Sequence, residues 1–141
     1  MTDQKLLSLA ADARGNAYAP YSGYSVGAAL LCADGTVFRG SNVENASYGA
    51  TNCAERSAFF AAVSAGKRSF VSIAIVGGES GKEAKTFFMP CGVCRQVMRE
   101  FCADDFRVMV GNGREIRVRT LGELLPEGFS QGAMEKGAPE K

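Results

Sequence analysis

The chain has 141 residues, 46% of them hydrophobic, which is enough for one domain that buries its own core. Its formal charge of +1 gives no indication of a nucleic-acid partner, because binding to a phosphate backbone requires a clear excess of positive charge. Histidine is absent, which excludes serine–histidine triads and histidine-ligated metalloproteases, so a transition-metal site here must use thiolates or carboxylates.

The first predicted element is a helix between residues 2 and 18, which Pro20 ends. Charged residues are scattered among its apolar residues, so we interpret this segment neither as a signal peptide nor as a membrane span. Five cysteines without an export signal favour a cytoplasmic protein, because the reducing cytosol keeps thiols free for metal binding or redox chemistry. The apolar face of the helix consists of Leu6, Leu9, Ala10, Ala13 and Ala17.

A hairpin is predicted next, after an aromatic loop that runs from Tyr18 to Tyr24. Its strands would be the apolar run at residues 26–32 and the segment at residues 37–41, joined by a turn at Asp34-Gly35. Residues 42–52 are polar, and we expect them to be irregular.

Helices and strands alternate in the second half of the chain. A helix is predicted at residues 53–65 and a buried central strand at residues 70–76. The later predicted elements are a helix at 91–102 after Pro90, strands at 106–110 and 115–119, and a helical turn with a capping box formed by Thr120 and Glu123. This order predicts an α/β fold with one sheet between helices, formed by a single domain at residues 1–129 and followed by a polar, partly disordered tail at 130–141.

Three cysteines give the strongest chemical signal. Cys91 and Cys94 are three residues apart, so they share one helix face and can hold the same ion, and Cys53 is the candidate for a third thiolate. All three lie near predicted helix starts, where free backbone N–H groups stabilise thiolates. Three protein ligands would leave the fourth tetrahedral position of zinc for water, which is typical of a catalytic site.

Glu55 and Arg56 follow the first of these cysteines. In mid-helix, Cys53 and Glu55 would point about 200° apart, but at the mouth of a helix the longer glutamate can reach back. Arg56 could donate hydrogen bonds to the sulfurs and withdraw part of the excess negative charge of three thiolates. Both residues could also be ordinary solvated helix residues.

The residue pattern also leaves two alternative roles open for the cysteines. Cys91 and Cys94 could be a thioredoxin-like redox pair, although such a pair has no use for a third cysteine beside a glutamate. Alternatively, Cys32 or Cys102 could complete a closed structural zinc site in an interaction module, which would not need Glu55. However, Cys32 lies in a predicted strand and Cys102 at a predicted helix end, where buried unreactive thiols are usual.

Further motifs accompany the cysteines across nearly the whole chain. They are Ala19-Pro20-Tyr21-Ser22, Val26-Gly27-Ala28-Ala29-Leu30, Asn42-Val43-Glu44-Asn45-Ala46, Cys53-Ala54-Glu55-Arg56, Pro90-Cys91-Gly92, Cys94-Arg95-Gln96, and Glu123-Leu124-Leu125-Pro126 with Phe129. In content and order these blocks resemble the zinc-dependent cytidine deaminases of the small homotetrameric type. The resemblance implies a three-layer α/β/α sandwich with a five-stranded mixed sheet, one zinc ion per subunit, and active sites shared between the subunits of a homotetramer.

The resemblance also implies which residues carry the chemistry. Cys53, Cys91 and Cys94 would bind zinc, and residues 1–129 would form the catalytic domain. Water activated by the zinc would attack C4 of the cytosine ring, while Glu55 would shuttle protons.

Residues that recognise the substrate follow from the same resemblance. Asn42 and Glu44 would hold the ribose hydroxyls, the Ala54 backbone would contact the base, and Phe129 would reach a neighbouring subunit's site. Tyr24 and Phe129 are both aromatic residues near the predicted site, and for each of them stacking on the ligand and ordinary core or interface packing are open.

Two positions depart from the family's pattern. Tyr24-Ser25 stands where the family usually has an apolar pair such as Phe-Pro, so an aromatic contact would gain a hydroxyl group. Val93 stands in place of the usual alanine between the paired cysteines, and we expect this to change packing more than chemistry. Residues 87–89 could be strand core or, by family analogy, part of a subunit interface.

The implied activity is hydrolysis of free cytidine and 2′-deoxycytidine to the uridine nucleosides and ammonia, as in pyrimidine salvage. A related cytosine nucleotide or antibiotic would require only local changes of the pocket and stays an alternative substrate. A polynucleotide substrate is not expected, because the near-neutral chain shows no basic stripe with stacking rings.

Overall fold

The computed structural model describes residues 1–134. In chain order, the helices and strands of this part are α1 (Asp3–Ala13), β1 (Tyr24–Cys32), β2 (Val37–Ser41), α2 (Ala54–Ser64), β3 (Phe70–Glu79), α3 (Gly92–Phe101), β4 (Arg107–Gly111), β5 (Ile116–Thr120) and α4 (Leu121–Leu124). Short 3-10 turns occur at Arg14–Asn16, Tyr48–Ala50 and Gln131–Ala133. None of the helices between residues 1 and 134 has the length and apolar character that crossing a bilayer requires.

The strands form one mixed sheet in the order β2-β1-β3-β4-β5. β3 is the central strand and pairs in parallel with β4, whereas the other neighbouring strands are antiparallel. A parallel pair needs a crossover connection, and α3 lies in it. Seven consecutive residues of β3 are buried, which confirms that its unbroken apolar run belongs at the centre of the sheet.

Helices cover both faces of this sheet. The neighbouring residues Ala28 and Ala29 of β1 belong to different hydrophobic clusters, because successive side chains of a strand point to opposite faces. On one face, α1 contributes Leu6, Leu7 and Ala10. On the other, α2, α3 and α4 pack around buried residues that include Phe59, Met98 and Leu121. The predicted three-layer α/β/α sandwich with a five-stranded mixed sheet is therefore confirmed.

A glycine allows α2 to lie directly on the sheet. A Cβ atom at Gly40 of β2 would lie 2.3 Å from the carbonyl oxygen of Ala54 and 2.5 Å from the amide nitrogen of Ala58. No larger residue fits at these distances. The first turn of α2 is therefore held against β2, which determines where the preceding residue, Cys53, is placed.

Helix α1 is shorter than the predicted helix at residues 2–18. It ends at Ala13, and Tyr18 instead forms a parallel bridge with Val43. The Tyr18 amide donates to the Asn42 carbonyl at 2.9 Å, and its own carbonyl accepts from the Glu44 amide at 2.8 Å. This pairing with a segment distant in sequence competes with the helix, and the helical periodicity of residues 2–18 does not reveal it.

The remaining boundary differences are small. β3 continues past residue 76 to Glu79, and β4 and β5 each begin and end one residue later than predicted. Residues 87–89 belong to no strand, so the strand interpretation of this segment is wrong. The capping box of Thr120 and Glu123 is present. Of the predicted tail, residues 130–134 include a 3-10 turn, and residues 135–141 lie outside the described part of the chain.

Candidate active site and metal centre

Two helix N-termini meet at the candidate metal centre. Cys53 is the N-cap of α2 and Cys91 is the N-cap of α3, one residue before the helix in each case. Cys94 lies in the first turn of α3 and is buried. The amide groups of a first turn have no acceptor within their helix, so together with the helix dipole they favour thiolates at these positions.

The spacing of the three sulfur atoms fits a tetrahedral metal ion. All three lie within 4.8 Å of one another. The Sγ atom of Cys91 is 3.9 Å from that of Cys53 and 3.6 Å from that of Cys94. Thiolates that bind one zinc ion at about 2.3 Å stand about 3.8 Å apart in tetrahedral geometry. These cysteines therefore fit zinc, and three protein ligands leave one coordination position for another group.

Arg56 contacts this cluster from α2. Its Nη2 atom donates a hydrogen bond to Sγ of Cys53 at 3.3 Å, which is the contact proposed from sequence. Hydrogen bonding with the Cys94 thiol, supported by Arg56, lowers the pKa of Cys53 to about 5, and this shared hydrogen bond raises the pKa of Cys94. Arg56 therefore stabilises negative charge on sulfur at this site.

Glu55 is buried next to the cysteines. It lies in the first turn of α2, and only 5% of its surface is exposed. Burial and, to a smaller extent, the negative charge of Cys53 raise the pKa of its carboxyl group to about 7. A carboxyl group with a pKa near neutrality can both accept and donate a proton, as general acid–base catalysis requires.

An open cleft of about 240 Å³ leads to these residues. This volume is smaller than that of usual pockets for drug-sized ligands, so the cleft suits a ligand smaller than a typical drug. The cleft brings together seven residues selected from sequence: Tyr24, Asn42, Glu44, Cys53, Ala54, Glu55 and Cys91. It is also lined by Ser22, Val26, Thr51, Asn52, Phe88 and Met89.

The side chain of Asn42 is fixed by the backbone of β1. Its Oδ1 atom accepts from the Val26 amide at 2.8 Å, and its Nδ2 atom donates to the Tyr24 carbonyl at 2.8 Å. After these two bonds, the amide group retains one N–H donor and one acceptor position. Asn42 is 9% exposed, and its side chain holds the cleft wall to β1 while keeping positions that can bind a ligand.

The Glu44 carboxylate is held by the loop before β1. Its Oε1 atom accepts from the amides of Tyr21 at 2.9 Å and Ser22 at 3.0 Å, and its Oε2 atom accepts from the Ser22 hydroxyl. These hydrogen bonds, the one from the Ser22 hydroxyl most of all, lower the pKa of Glu44. Because a carboxylate offers about four lone-pair sites, one acceptor position remains on Oε2.

Phe88 and Ser22 are two of the six lining residues that are not proposed as site residues from sequence. Phe88 lies in the cleft, and its ring centroid is 5.9 Å from that of Tyr24. Its closeness in sequence to Pro90-Cys91 is a signal that could have placed it near the metal centre. Ser22 appears in the sequence only as part of a motif, and no local pattern shows that its hydroxyl reaches Glu44.

Phe129 lies away from the cleft of its own chain. It is 61% exposed, and its carbonyl accepts a hydrogen bond from Nε2 of Gln96 on α3 at 2.9 Å. This bond fixes the segment after α4 against α3. The contact with a neighbouring subunit stays a prediction for this residue.

The other two cysteines do not join the metal centre. Cys32 is buried in β1, and Cys102 is the C-cap of α3, where burial raises its pKa to about 12. Among residues 1–134, the group that could hold a metal ion consists of Cys53, Cys91 and Cys94. A closed site with four thiolates is therefore not supported.

Comparison with protein families agrees with this geometry. The sequence model described as "Cytidine and deoxycytidylate deaminase zinc-binding region" matches residues 1–110. The chain belongs to the cytidine and deoxycytidylate deaminase family. This membership confirms the resemblance drawn from the motifs, and it agrees with a zinc site built from the three cysteines.

Individual members of the deaminase family are similar over nearly their whole length. A cytidine deaminase of Halalkalibacterium halodurans is 51% identical over 131 residues, which cover 92% of this chain and 96% of the relative. A cytidine deaminase of Sporosarcina psychrophila is 47% identical over 132 residues, 93% of each chain. The crystal structure of cytidine deaminase from Burkholderia pseudomallei superposes with a TM-score of 0.84 at 49% identity, covering 92% of this chain and 100% of that one. That from Mycobacterium tuberculosis gives a TM-score of 0.78 at 41% identity, covering 92% and 98%.

Proposed function

We propose that this protein is a hydrolase that deaminates cytidine and 2′-deoxycytidine to uridine and 2′-deoxyuridine, with release of ammonia. The observation that carries the proposal is the cluster of three cysteine sulfurs beside the buried carboxyl group of Glu55, at the end of a cleft. Membership of the deaminase family and curated relatives named cytidine deaminase support the choice of substrate.

Cys53, Cys91 and Cys94 are the proposed zinc ligands. When bound there, zinc supplies a Lewis acid that lowers the pKa of water toward neutrality and so provides a nucleophile at working pH. Three thiolates exceed the charge of the ion by one unit, which weakens a Lewis acid. The hydrogen bond from Arg56 to Cys53 withdraws part of that charge, so Arg56 would make a bound zinc ion a stronger Lewis acid.

Glu55 is the proposed proton shuttle. As the C–O bond forms at C4 of the cytosine ring, Glu55 accepts a proton from the attacking water and delivers it to ring N3. It then transfers the second proton to the exocyclic amine, the C4–N bond breaks, and ammonia leaves. Water and cytidine thus become uridine and ammonia, and the carboxyl group returns to its starting state. The burial of Glu55 beside the cysteines supports this assignment.

Asn42 and Glu44 are the proposed ribose ligands. The hydrogen bonds that hold them leave one N–H donor and one acceptor on Asn42, and one acceptor position on Glu44. A hydroxyl group both donates and accepts, so adjacent sugar hydroxyls can use these positions. Both side chains line the same cleft as Glu55, which supports a ligand that reaches from the metal centre to the loop before β1.

Ala54 and Tyr24 are proposed to contact the base. Ala54 is fully buried and lines the cleft between Cys53 and Glu55, so its backbone lies beside the position of the ring. Tyr24 lines the same cleft and packs against Phe88, and this aromatic pair could flank a planar base.

A homotetramer with shared active sites is the proposed assembly. Phe129 is exposed and lies outside its own cleft, which supports a contribution to the cleft of another subunit. A cytoplasmic location and a role in pyrimidine salvage follow from the proposed activity on free nucleosides. Within this proposal, residues 1–129 form the catalytic domain.

A direct assay tests the proposed function. Purified protein is analysed for zinc and mixed with cytidine, 2′-deoxycytidine, cytosine and the cytidine monophosphates, and deamination is followed by the loss of ultraviolet absorbance. We expect about one zinc per chain and turnover of the two nucleosides. Active protein without zinc would contradict the metal assignment. Turnover restricted to the monophosphates would show that the substrate is a nucleotide and not a nucleoside.

A further inference from the structure

We propose that Ser22 is a positioning residue for substrate recognition, whose hydroxyl group fixes the Glu44 carboxylate in the cleft wall. This inference rests on the proposed function, because it requires that Glu44 accepts a hydrogen bond from a sugar hydroxyl. Ser22 acts through Glu44, because its hydroxyl group hydrogen-bonds with the Glu44 carboxylate and the Tyr24 amide.

The loop that carries Ser22 is anchored at both ends by backbone hydrogen bonds. At its start, Tyr18 pairs with Val43. At its end, Gly23 adopts a φ of 74°, a conformation that favours glycine, and its carbonyl accepts from the Ser80 amide at 2.8 Å. The residues between these anchors therefore have a defined position beside Glu44.

The Ser22 hydroxyl group both donates and accepts a hydrogen bond. It accepts a hydrogen bond from the Tyr24 amide at 3.1 Å and donates one to Oε2 of Glu44. Because an ionised carboxylate can only accept hydrogen bonds, the hydroxyl proton is the one that bridges Ser22 and Glu44. The hydroxyl therefore links the first residue of β1, whose ring lines the cleft, to the proposed ribose ligand.

Three donors together determine how the Glu44 carboxylate is turned. The amides of Tyr21 and Ser22 bind Oε1, and the Ser22 hydroxyl binds Oε2. The terminal torsion of a glutamate is otherwise soft, so a carboxylate held at one oxygen only would rotate. The Ser22 hydroxyl is the donor that holds the second oxygen, which is the oxygen with a free acceptor position for a ligand.

Loss of this hydroxyl should weaken binding and leave the chemical step intact. For Ser22→Ala acting on cytidine, we expect KM to rise about tenfold, the usual size of one charge-assisted hydrogen bond that water partly replaces, and kcat to stay within about twofold. Zinc content should be unchanged. Ser8→Ala, an exposed serine on α1, is the matched control and should behave like the wild type.

A substrate that lacks the 2′- and 3′-hydroxyls of the sugar separates positioning from a general effect on the fold. With 2′,3′-dideoxycytidine, Ser22→Ala and the wild type should have KM values within about twofold of each other, because the group that Glu44 would bind is missing. Ser22→Thr keeps the hydroxyl group and should keep the lower KM for cytidine than for 2′,3′-dideoxycytidine. Ser22→Val has the shape of threonine without the hydroxyl and should lose that difference in KM, so this pair decides the question even if Ser22→Ala fails to fold.

A double-mutant cycle with Glu44→Ala completes the test. Because Ser22 acts through Glu44, adding Ser22→Ala to Glu44→Ala should cause no further loss. Independent, multiplying losses would overturn the proposal, as would an unchanged KM in Ser22→Ala or an equal loss with the dideoxynucleoside. Failure of the wild type to deaminate cytidine would instead overturn the proposed function.

Discussion

The cleft has two halves that are built in different ways. The metal half consists of Cys53, Glu55, Cys91 and Cys94, which sit at the N-termini of two packed helices, and its carboxyl group is buried. The recognition half consists of Ser22, Asn42 and Glu44, which lie in irregular segments and are held by hydrogen bonds to backbone amides and carbonyls. Proton transfer benefits from a group shielded from water, whereas recognition of hydroxyls requires oriented donors and acceptors that a ligand can reach.

The largest expected effect comes from removing a proposed metal ligand. Cys94→Ala should reduce zinc content at least about tenfold and abolish measurable deamination, because two protein ligands hold zinc poorly. Elemental analysis and the ultraviolet assay measure both effects, and Cys102→Ala, at the far end of α3, is the control that should retain zinc. A full equivalent of zinc in Cys94→Ala would show that the metal half is assigned wrongly.

Loss of Glu55, the proposed proton shuttle, should be nearly as severe but leave the metal in place. Glu55→Gln keeps the size of the side chain and removes its acid–base function, so we expect kcat to fall about 10³- to 10⁴-fold with zinc retained. Steady-state kinetics and zinc analysis on the same preparation check this. A kcat within tenfold of the wild type would mean that another group moves the protons.

A smaller effect, of a different kind, is expected in the recognition half. Glu44→Ala should raise KM for cytidine about 10- to 100-fold, with kcat and zinc content little changed, because it removes the proposed charged acceptor of a substrate hydroxyl. Comparison with 2′,3′-dideoxycytidine is the control, since that substrate should be much less affected. A large fall in kcat with an unchanged KM would break the distinction between the two halves.

The smallest effect is expected at a position next to the metal half but outside the cleft. Val93 is 58% exposed between the paired cysteines. Val93→Ala should change the free energy of unfolding by less than about 0.5 kcal/mol, as exposed substitutions usually do, and kcat/KM by less than about twofold. Thermal unfolding and kinetics test this, and a tenfold change in kcat would show that Val93 shapes the thiolate cluster after all.

Much of the fold follows from sequence because its strongest signals are local. The apolar run of β3 and the capping box of Thr120 and Glu123 are recognisable without any partner, and both are confirmed. The end of α1 is different. Residues up to Tyr18 keep a helical pattern, but pairing with Val43 outweighs it, and such a pairing depends on chain segments that are distant in sequence.

The candidate site divides in the same manner. The spacing of Cys91 and Cys94 indicates a shared metal ion, and a cysteine close to a glutamate indicates Cys53 and Glu55. The metal half can therefore be predicted from sequence. The hydrogen bond from Ser22 to Glu44 cannot, because serine hydroxyls are common in loops and their partners depend on tertiary geometry. Asn42 adds a further point, since a side chain proposed as a ligand also completes the hydrogen bonding of a strand.

The contact at Gly40 has a consequence for engineering this scaffold. Since the closest neighbours of a Cβ there would be main-chain atoms of Ala54 and Ala58, the height of α2 above β2 is set by peptide dimensions and not by side-chain volume. Exchanges of aliphatic residues elsewhere in the interior can therefore change the stability of the protein while the N-terminal end of α2 keeps its distance from the sheet. Any side chain at position 40 would push the first turn of α2 away from β2.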